Sequence, residues 1–372
     1  MEKIRSIALT VGDEDMSETI YDVAVIGAGP AGTQAAVSAS HQMRHVLVLH
    51  SGKVSFSRGR AYWSKSVEIE DAPVFPGITG PNFAKELMRW MESRPVVNFM
   101  LGDKQRTTGI DIRDGMVTRL TRDNDTFEIE ASTTTLKKDK PTQIEHFRSR
   151  TVVVASGFDD KWPDIEFQTD EDRLYKQYAT VFRYAGNRKG WHVCIRCDGH
   201  LHVNEHLALL GVGDYIYEAA IGAQDFTDKI TILTNGRPHN MSTSVLKQVQ
   251  ERKIQIIEKK IKRHIGEKTD LLGFEMVDGT QLFFHGFLVD EGLIPNTKFL
   301  DGWDYQKDEE GLIIANEDMQ MLDSNGDPIP GLFAAGDIIS GERNLIATAF
   351  ALGQEAGLSA SDSLRMWHYP HD

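Results

Sequence analysis

Two hydrophobic rhythms alternate along the chain. Residues 21–26, Tyr-Asp-Val-Ala-Val-Ile, and residues 45–49 are apolar runs of strand length, and residues 33–40 between them read as a helix. Residues 82–91 carry apolar side chains at helical spacing and read as a packing helix. Residues 116–131 and 146–154 alternate or run apolar, as strands do. A second set follows, with strands over 207–210, 229–233 and 281–289 and helices over 218–226 and 245–252. Residues 255–263 read as a basic edge strand, where Lys259, Lys260, Lys262 and Arg263 discourage pairing. The chain closes on the small-residue run 331–337 and a helix over about 344–366. The pattern predicts an α/β fold.

Polar stretches punctuate this pattern. Residues 53–65 form a polar loop with Arg58, Arg60, Tyr62 and Trp63, either wrapped around a cofactor or simply solvated. Residues 70–80 are a turn-rich link. Residues 137–140 are a charged hairpin tip, and the polar stretch 159–189 places a domain boundary near residue 158.

The glycines change the picture. The first strand runs into Gly27-Ala28-Gly29-Pro30-Ala31-Gly32 and a helix, which is the setting a dinucleotide-binding turn requires. Gly27 permits the tight turn, Gly29 lets backbone approach a pyrophosphate, and Gly32 lets helix and strand pack closely. No acid ends the second strand to hold the ribose, so His50 or Ser51 stands in. Small residues Ser156 and Gly157 allow close approach of a cofactor, or a crossover into a new domain. Gly336-Asp337 could hydrogen-bond flavin ribityl hydroxyls, with the helix start at Asn344, Leu345 and Ile346 aimed at the flavin pyrimidine edge. A second turn, Gly211-Val212-Gly213-Asp214-Tyr215-Ile216, has Ile at the third glycine position, and only Arg237 as a cation near the next strand end. It reads as an altered dinucleotide site or as a plain βαβ unit without a ligand.

Both cysteines of the chain lie in Cys194-Ile195-Arg196-Cys197-Asp198-Gly199. This spacing can close a redox-active disulfide, whose reacting form is the thiolate. Asp198 could take and return the proton that exchange requires. A zinc site using two of His192, His200 and His202 would crowd every ligand into one loop, and two inert buried thiols are the remaining reading.

Length and charge set bounds. A chain of 372 residues implies two domains. The net charge of −14 argues against nucleic acid or an anionic membrane as partner. No apolar run reaches membrane-spanning length. Residues 1–15 lack a signal-peptide core, so a cytoplasmic location is expected.

The glycine turn at 27–32, the Cys-x-x-Cys-Asp-Gly at 194–199, Ile294-Pro295-Asn296-Thr297 and Ala334-Ala335-Gly336-Asp337 occur in the order seen in low-molecular-weight thioredoxin reductases, which the chain resembles over about 20–360. The resemblance implies a thioredoxin-reductase-like three-layer ββα fold with two Rossmann-like domains. The FAD domain would be split between 1–157 and 290–372, and 158–289 would carry the dithiol. It implies FAD, a homodimer, and a thioredoxin-like protein or small disulfide as substrate. Cys197 would face the flavin, Cys194 would exchange with substrate, and Asp198 would handle protons. NADPH-using members have Ala at the position of Ile216 and His-Arg-Arg where this chain has Thr234-Asn235-Gly236. Their Gly-Gly-Gln loop is replaced by residues 54–60, and their Arg-Gln-Ala by Arg343-Asn344-Leu345. These departures resemble pyridine-nucleotide-independent relatives: ferredoxin-dependent flavin thioredoxin reductases, diflavin-linked disulfide oxidoreductases and dithiol oxidases. Dithiol oxidases commonly have His where Asp198 stands. NADPH is therefore not the expected donor. A ferredoxin would need a basic patch, either Arg58, Arg60 and Lys65 or Arg183, Arg188 and Lys189. Tyr62, Trp63, Tyr215, Tyr217, Trp367 and Tyr369 could stack on a flavin or a second flavin, or serve in packing.

Overall fold

The computed structural model describes residues 19–52, 68–72, 74–133, 143–163, 165, 183–341 and 343–366. The expectations placed on residues 53–65, 137–140, Trp367 and Tyr369 lie outside them. The described residues fall into two compact units, one within Met1–Gly59, Phe83–Asp159 and Pro295–Asp372, the other within Arg60–Asn82 and Asp160–Ile294.

The first unit is built on parallel strands in the spatial order Lys104–Asp114, His45–His50, Ile20–Ile26, Ile144–Val154, Pro328–Ala334. Their Val-rich sequences suit a sheet covered on both faces. Val23, Val25, Val46, Val48 and Val153 are buried with alanines from the helices Pro30–His41 and Ile346–Met366. The two helices meet through bare backbone. A Cβ on Gly353 would lie 2.2 Å from the Ala31 carbonyl oxygen, and one on Gly357 2.4 Å from that of Ala35. Strand Ile144–Val154 changes partner along one edge. Its first half pairs antiparallel with Thr126–Ser132, from Ile144↔Ser132 to Ser149↔Phe127. Its end pairs parallel with Pro328–Ala334, from Val152↔Leu332.

The second unit has a parallel sheet in the order Trp191–His192, Gly286–Asp290, Leu207–Gly211, Ile230–Leu233, Gln255–Ile257. An antiparallel sheet joins Ile261–Glu267, Asp270–Met276 and Gln281–Phe283. The stretch 281–289, expected as one strand, is two strands in different sheets, and so is 255–263. Ile261–Glu267 is the edge strand of its sheet, and the cations along 259–263 meet acids: Lys262 and Arg263 pair with Glu275, and Lys259 with Asp278. The helix expected over 218–226 runs Gly213–Ala223, because the glycine turn itself forms its first turn. Among the described residues, no helix is long and apolar enough to cross a membrane.

Candidate active site

In the first unit the singled-out residues gather at the carboxyl ends of the parallel strands, where open α/β sheets bind ligands. Gly27 follows strand Ile20–Ile26 with φ +111°, and its N–H donates to the Leu49 carbonyl at 3.0 Å. A Cβ on Gly27 would lie 2.3 Å from the Ala155 carbonyl oxygen, and one on Gly32 2.0 Å from that of Gly27. Both positions therefore exclude a side chain. Gly29 caps helix Pro30–His41 without a side-chain hydrogen bond, and the first turn carries no acid, so its positive end suits an anion. Gly336, φ +77°, closes on this turn, since a Cβ there would lie 2.6 Å from that of Ala31. Asp337 follows within the buried turn Gly336–Ile338, and Ile346 opens the last helix directly after Asn344 and Leu345. His50 ends its strand, with Ser51 next to it. Ser156 and Gly157 do something the sequence reading missed. The Ser156 hydroxyl donates to the Asn296 carbonyl at 2.7 Å, and the Asn296 N–H donates to the Gly157 carbonyl at 3.0 Å. They fasten the start of the returning chain. This cradle of backbone around an uncapped helix start fits the pyrophosphate of a dinucleotide.

In the second unit Cys194 and Cys197 form a disulfide, with Cα atoms 5.4 Å apart. Cys194 caps the short helix Ile195–Asp198, and its sulfur accepts the Cys197 N–H at 3.2 Å. Both cysteines are half-buried, and Asp198 is buried. Among the described residues no group of three or more His, Cys, Asp or Glu side chains is placed to hold a metal ion. His192 and His202, which loop spacing alone offers as zinc ligands, instead extend from Asp198. His192 Nδ1 lies 2.9 Å from Asp198 Oδ2, and His192 Nε2 lies 3.1 Å from His202 Nε2. His202 Nδ1 lies 2.8 Å from Glu205 Oε2, and Arg188 donates to Glu205 Oε1 at 2.8 Å. Burial pushes the His202 imidazole below its ordinary range, although the Glu205 hydrogen bond opposes it. Burial raises Glu205, but hydrogen bonds from His202 and Arg188 outweigh it and hold the carboxyl low. His200 lies apart from this line, exposed and 3.1 Å from Glu70.

The second glycine turn is engaged by its own chain. Gly213 N–H donates to the His239 carbonyl at 2.7 Å, and Asp214, in the first helical turn, accepts the Ser242 N–H at 2.8 Å. Ile216 is fully buried and packs under Gly211, its Cδ1 3.1 Å from where a Cβ would stand. The helix rests on this side chain instead of on bare backbone. Arg237 makes a bidentate ion pair with Glu291. Of the basic residues considered for a protein donor, Arg188 is paired with Glu205, and Lys189 stands 3.8 Å from Asp270. Arg58, Arg60 and Lys65 lie outside the described residues. Tyr215 is exposed and Tyr217 is core.

Comparison with known proteins agrees with this architecture. The family described as pyridine nucleotide-disulphide oxidoreductase matches residues 21–353. A thioredoxin reductase of Aquifex aeolicus is 25% identical over 358 residues, covering 93% of this chain and 94% of the relative. A thioredoxin reductase of Listeria monocytogenes is 24% identical over 351 residues, covering 92% of this chain and 93% of the relative. The crystal structure of a thioredoxin reductase from Streptococcus pyogenes superposes with a TM-score of 0.72 at 22% identity, over 93% of this chain and 99% of that one, and so shares the fold.

Proposed function

The chain belongs to the pyridine nucleotide-disulphide oxidoreductase family and is a thioredoxin reductase-like disulfide oxidoreductase, and from that premise we propose that it passes two electrons from FAD, through Cys194–Cys197, to a disulfide on a thioredoxin-like protein or small molecule, with a donor other than NADPH. Gly27, Gly29, Pro30, Ala31, Gly32, Gly336 and Asp337 would hold the flavin, which when bound supplies the two-electron chemistry. Cys194 exchanges with the substrate disulfide, Cys197 resolves the mixed disulfide, and Asp198 takes the proton that Cys197 loses.

The state of the second glycine turn carries the donor reading. A nucleotide there would have to displace the His239 carbonyl from Gly213 and sit beside Asp214. A 2′-phosphate would meet Glu291, which already holds Arg237. Each charge-assisted hydrogen bond forgone is worth about 1.5–3 kcal/mol. Losing two of them weakens binding by about two to four powers of ten. The helix start at residue 30 has neither obstacle: no acid lies in its first turn, and no side chain caps it.

The test is anaerobic mixing of the purified yellow protein with NADPH, NADH or reduced ferredoxin, watched through the flavin spectrum. Neither nucleotide should bleach the flavin at a useful rate. Bleaching within milliseconds at micromolar NADPH would instead make this an ordinary NADPH-dependent thioredoxin reductase.

A further inference from the structure

The line of side chains running from Asp198 to Glu205 has a proton count that can be read from its geometry. His192 Nε2 also lies 3.2 Å from the Arg188 carbonyl oxygen, which can only accept. His192 Nε2 therefore carries a hydrogen, shared between that oxygen and His202 Nε2 at 3.1 Å. His202 Nε2 is then the acceptor, so the His202 hydrogen sits on Nδ1 and is donated to Glu205 Oε2 at 2.8 Å. That uses the single hydrogen of each neutral imidazole. The 2.9 Å contact between His192 Nδ1 and Asp198 Oδ2 still needs a proton, because a bare ring nitrogen and a carboxylate oxygen repel. The four groups thus hold one proton more than two neutral imidazoles and two carboxylates, and it lies between His192 and Asp198. Asp198, His192 and His202 are buried, whereas the Glu205 side chain is 25% exposed and paired with the exposed Arg188.

We infer that Asp198, His192, His202 and Glu205 form a proton store, which holds between Asp198 and His192 the proton that leaves Cys197 when the disulfide forms. The inference rests on the disulfide oxidoreductase reading above. On oxidation by a partner disulfide, the partner's S–S bond breaks and the Cys194–Cys197 bond forms, so two electrons pass to the partner. The Cys194 and Cys197 thiols lose one proton each, and the two partner sulfurs gain one each. The Cys197 proton goes to Asp198. There it is shared with His192 and stays while the disulfide lasts; the Cys194 proton passes to solvent, from which the two partner thiolates take theirs. On reduction of the Cys194–Cys197 bond by a reduced flavin anion, the donor supplies two electrons and one proton, and Asp198 returns the second proton to sulfur. His192 and His202 are positioning residues, and Asp198 follows Cys197 directly in the chain.

The test needs neither flavin turnover nor a natural partner. The reduced full-length protein is mixed with 5,5′-dithiobis(2-nitrobenzoate) in weak buffer containing a pH-indicator dye, so that thiolate release and proton release are followed together. Wild type should release about one proton per disulfide formed and Asp198→Asn about two, because the amide cannot store one. His192→Phe leaves Asp198 without the imidazole that shares the proton. It should also release about two protons per disulfide formed. Equal proton counts for wild type and Asp198→Asn, or a wild-type count retained by His192→Phe, would each overturn the store. A protein that shows this pattern but cannot reduce any thioredoxin-like disulfide would keep the store and lose the functional reading.

Discussion

His264 shows what a single buried titratable side chain does to this fold. It sits among the rings of Tyr184, Trp191 and Phe274, with centroids 5.6, 5.9 and 5.8 Å away. Burial pushes its imidazole down to about 4. The unfolded chain binds that proton near the ordinary value of about 6.5. Between these values the unfolded state carries more protons, so the contribution of His264 to stability is complete above pH ~6.5 and is lost as pH falls toward ~4. Urea unfolding at a series of pH values should show an acid-side loss approaching about 3 kcal/mol, and His264→Phe should flatten it. An unchanged pH slope in the variant would mean that other groups set the acid limit. At this scale the sequence reveals chemistry but not partners. Cys194, Cys197 and Asp198 are legible because their function depends on spacing within one loop. For His192 and His202 local spacing offers only a crowded zinc site, which the sequence disfavours, and nothing in it says that folding will place their ring nitrogens 3.1 Å apart.

Two helices of the first unit are held together by what they lack. Gly353 and Gly357 lie one turn apart and leave backbone of helix Ile346–Met366 against Ala31 and Ala35 of helix Pro30–His41. Gly353→Val would drive a branched side chain into the Ala31 carbonyl and separate the helices. Overpacking of this kind costs about 1–3 kcal/mol, and here it also shifts the turn at Gly29–Gly32. Denaturant midpoints should fall accordingly, and flavin content with them. A variant with wild-type stability and full flavin would show that the helices can part without consequence. Helix Gly213–Ala223 offers the contrast, since Ile216 fills the gap that glycine leaves elsewhere. Most elements are legible from hydrophobic period alone. The breaks inside 255–263 and 281–289 are not, because an apolar run looks the same whether its strand keeps one partner or the chain crosses to another sheet.

For the molecule as a whole, a net charge of −14 sets the terms of encounter. Near the dithiol Arg188 is paired with Glu205, and Arg196 stands exposed between the two cysteines, a single charge against that total. Exchange with an acidic disulfide protein should therefore speed up as salt rises through ~0.1 M, where the screening length is about 10 Å, and exchange with a basic one should slow down. A rate that falls with salt for an acidic partner would reveal a local basic docking patch. The sequence reading sets a boundary near residue 158, while the grouping of Arg60–Asn82 with the second unit rests on contacts distant in sequence that no local pattern encodes. The strand Ile144–Val154, whose one edge serves two partners, has a consequence for synthesis on the ribosome. Its first half can pair with Thr126–Ser132 as soon as both have emerged. Its other half must wait for Pro328–Ala334, by which time Asp160–Ile294 has already been made. Units generally fold in the order they emerge, and a contact between distant residues forms late. The nascent protein thus carries an open sheet edge at Val152–Val154 while the dithiol unit takes shape, and that edge is where a chaperone, or a neighbouring chain on the same message, would bind first.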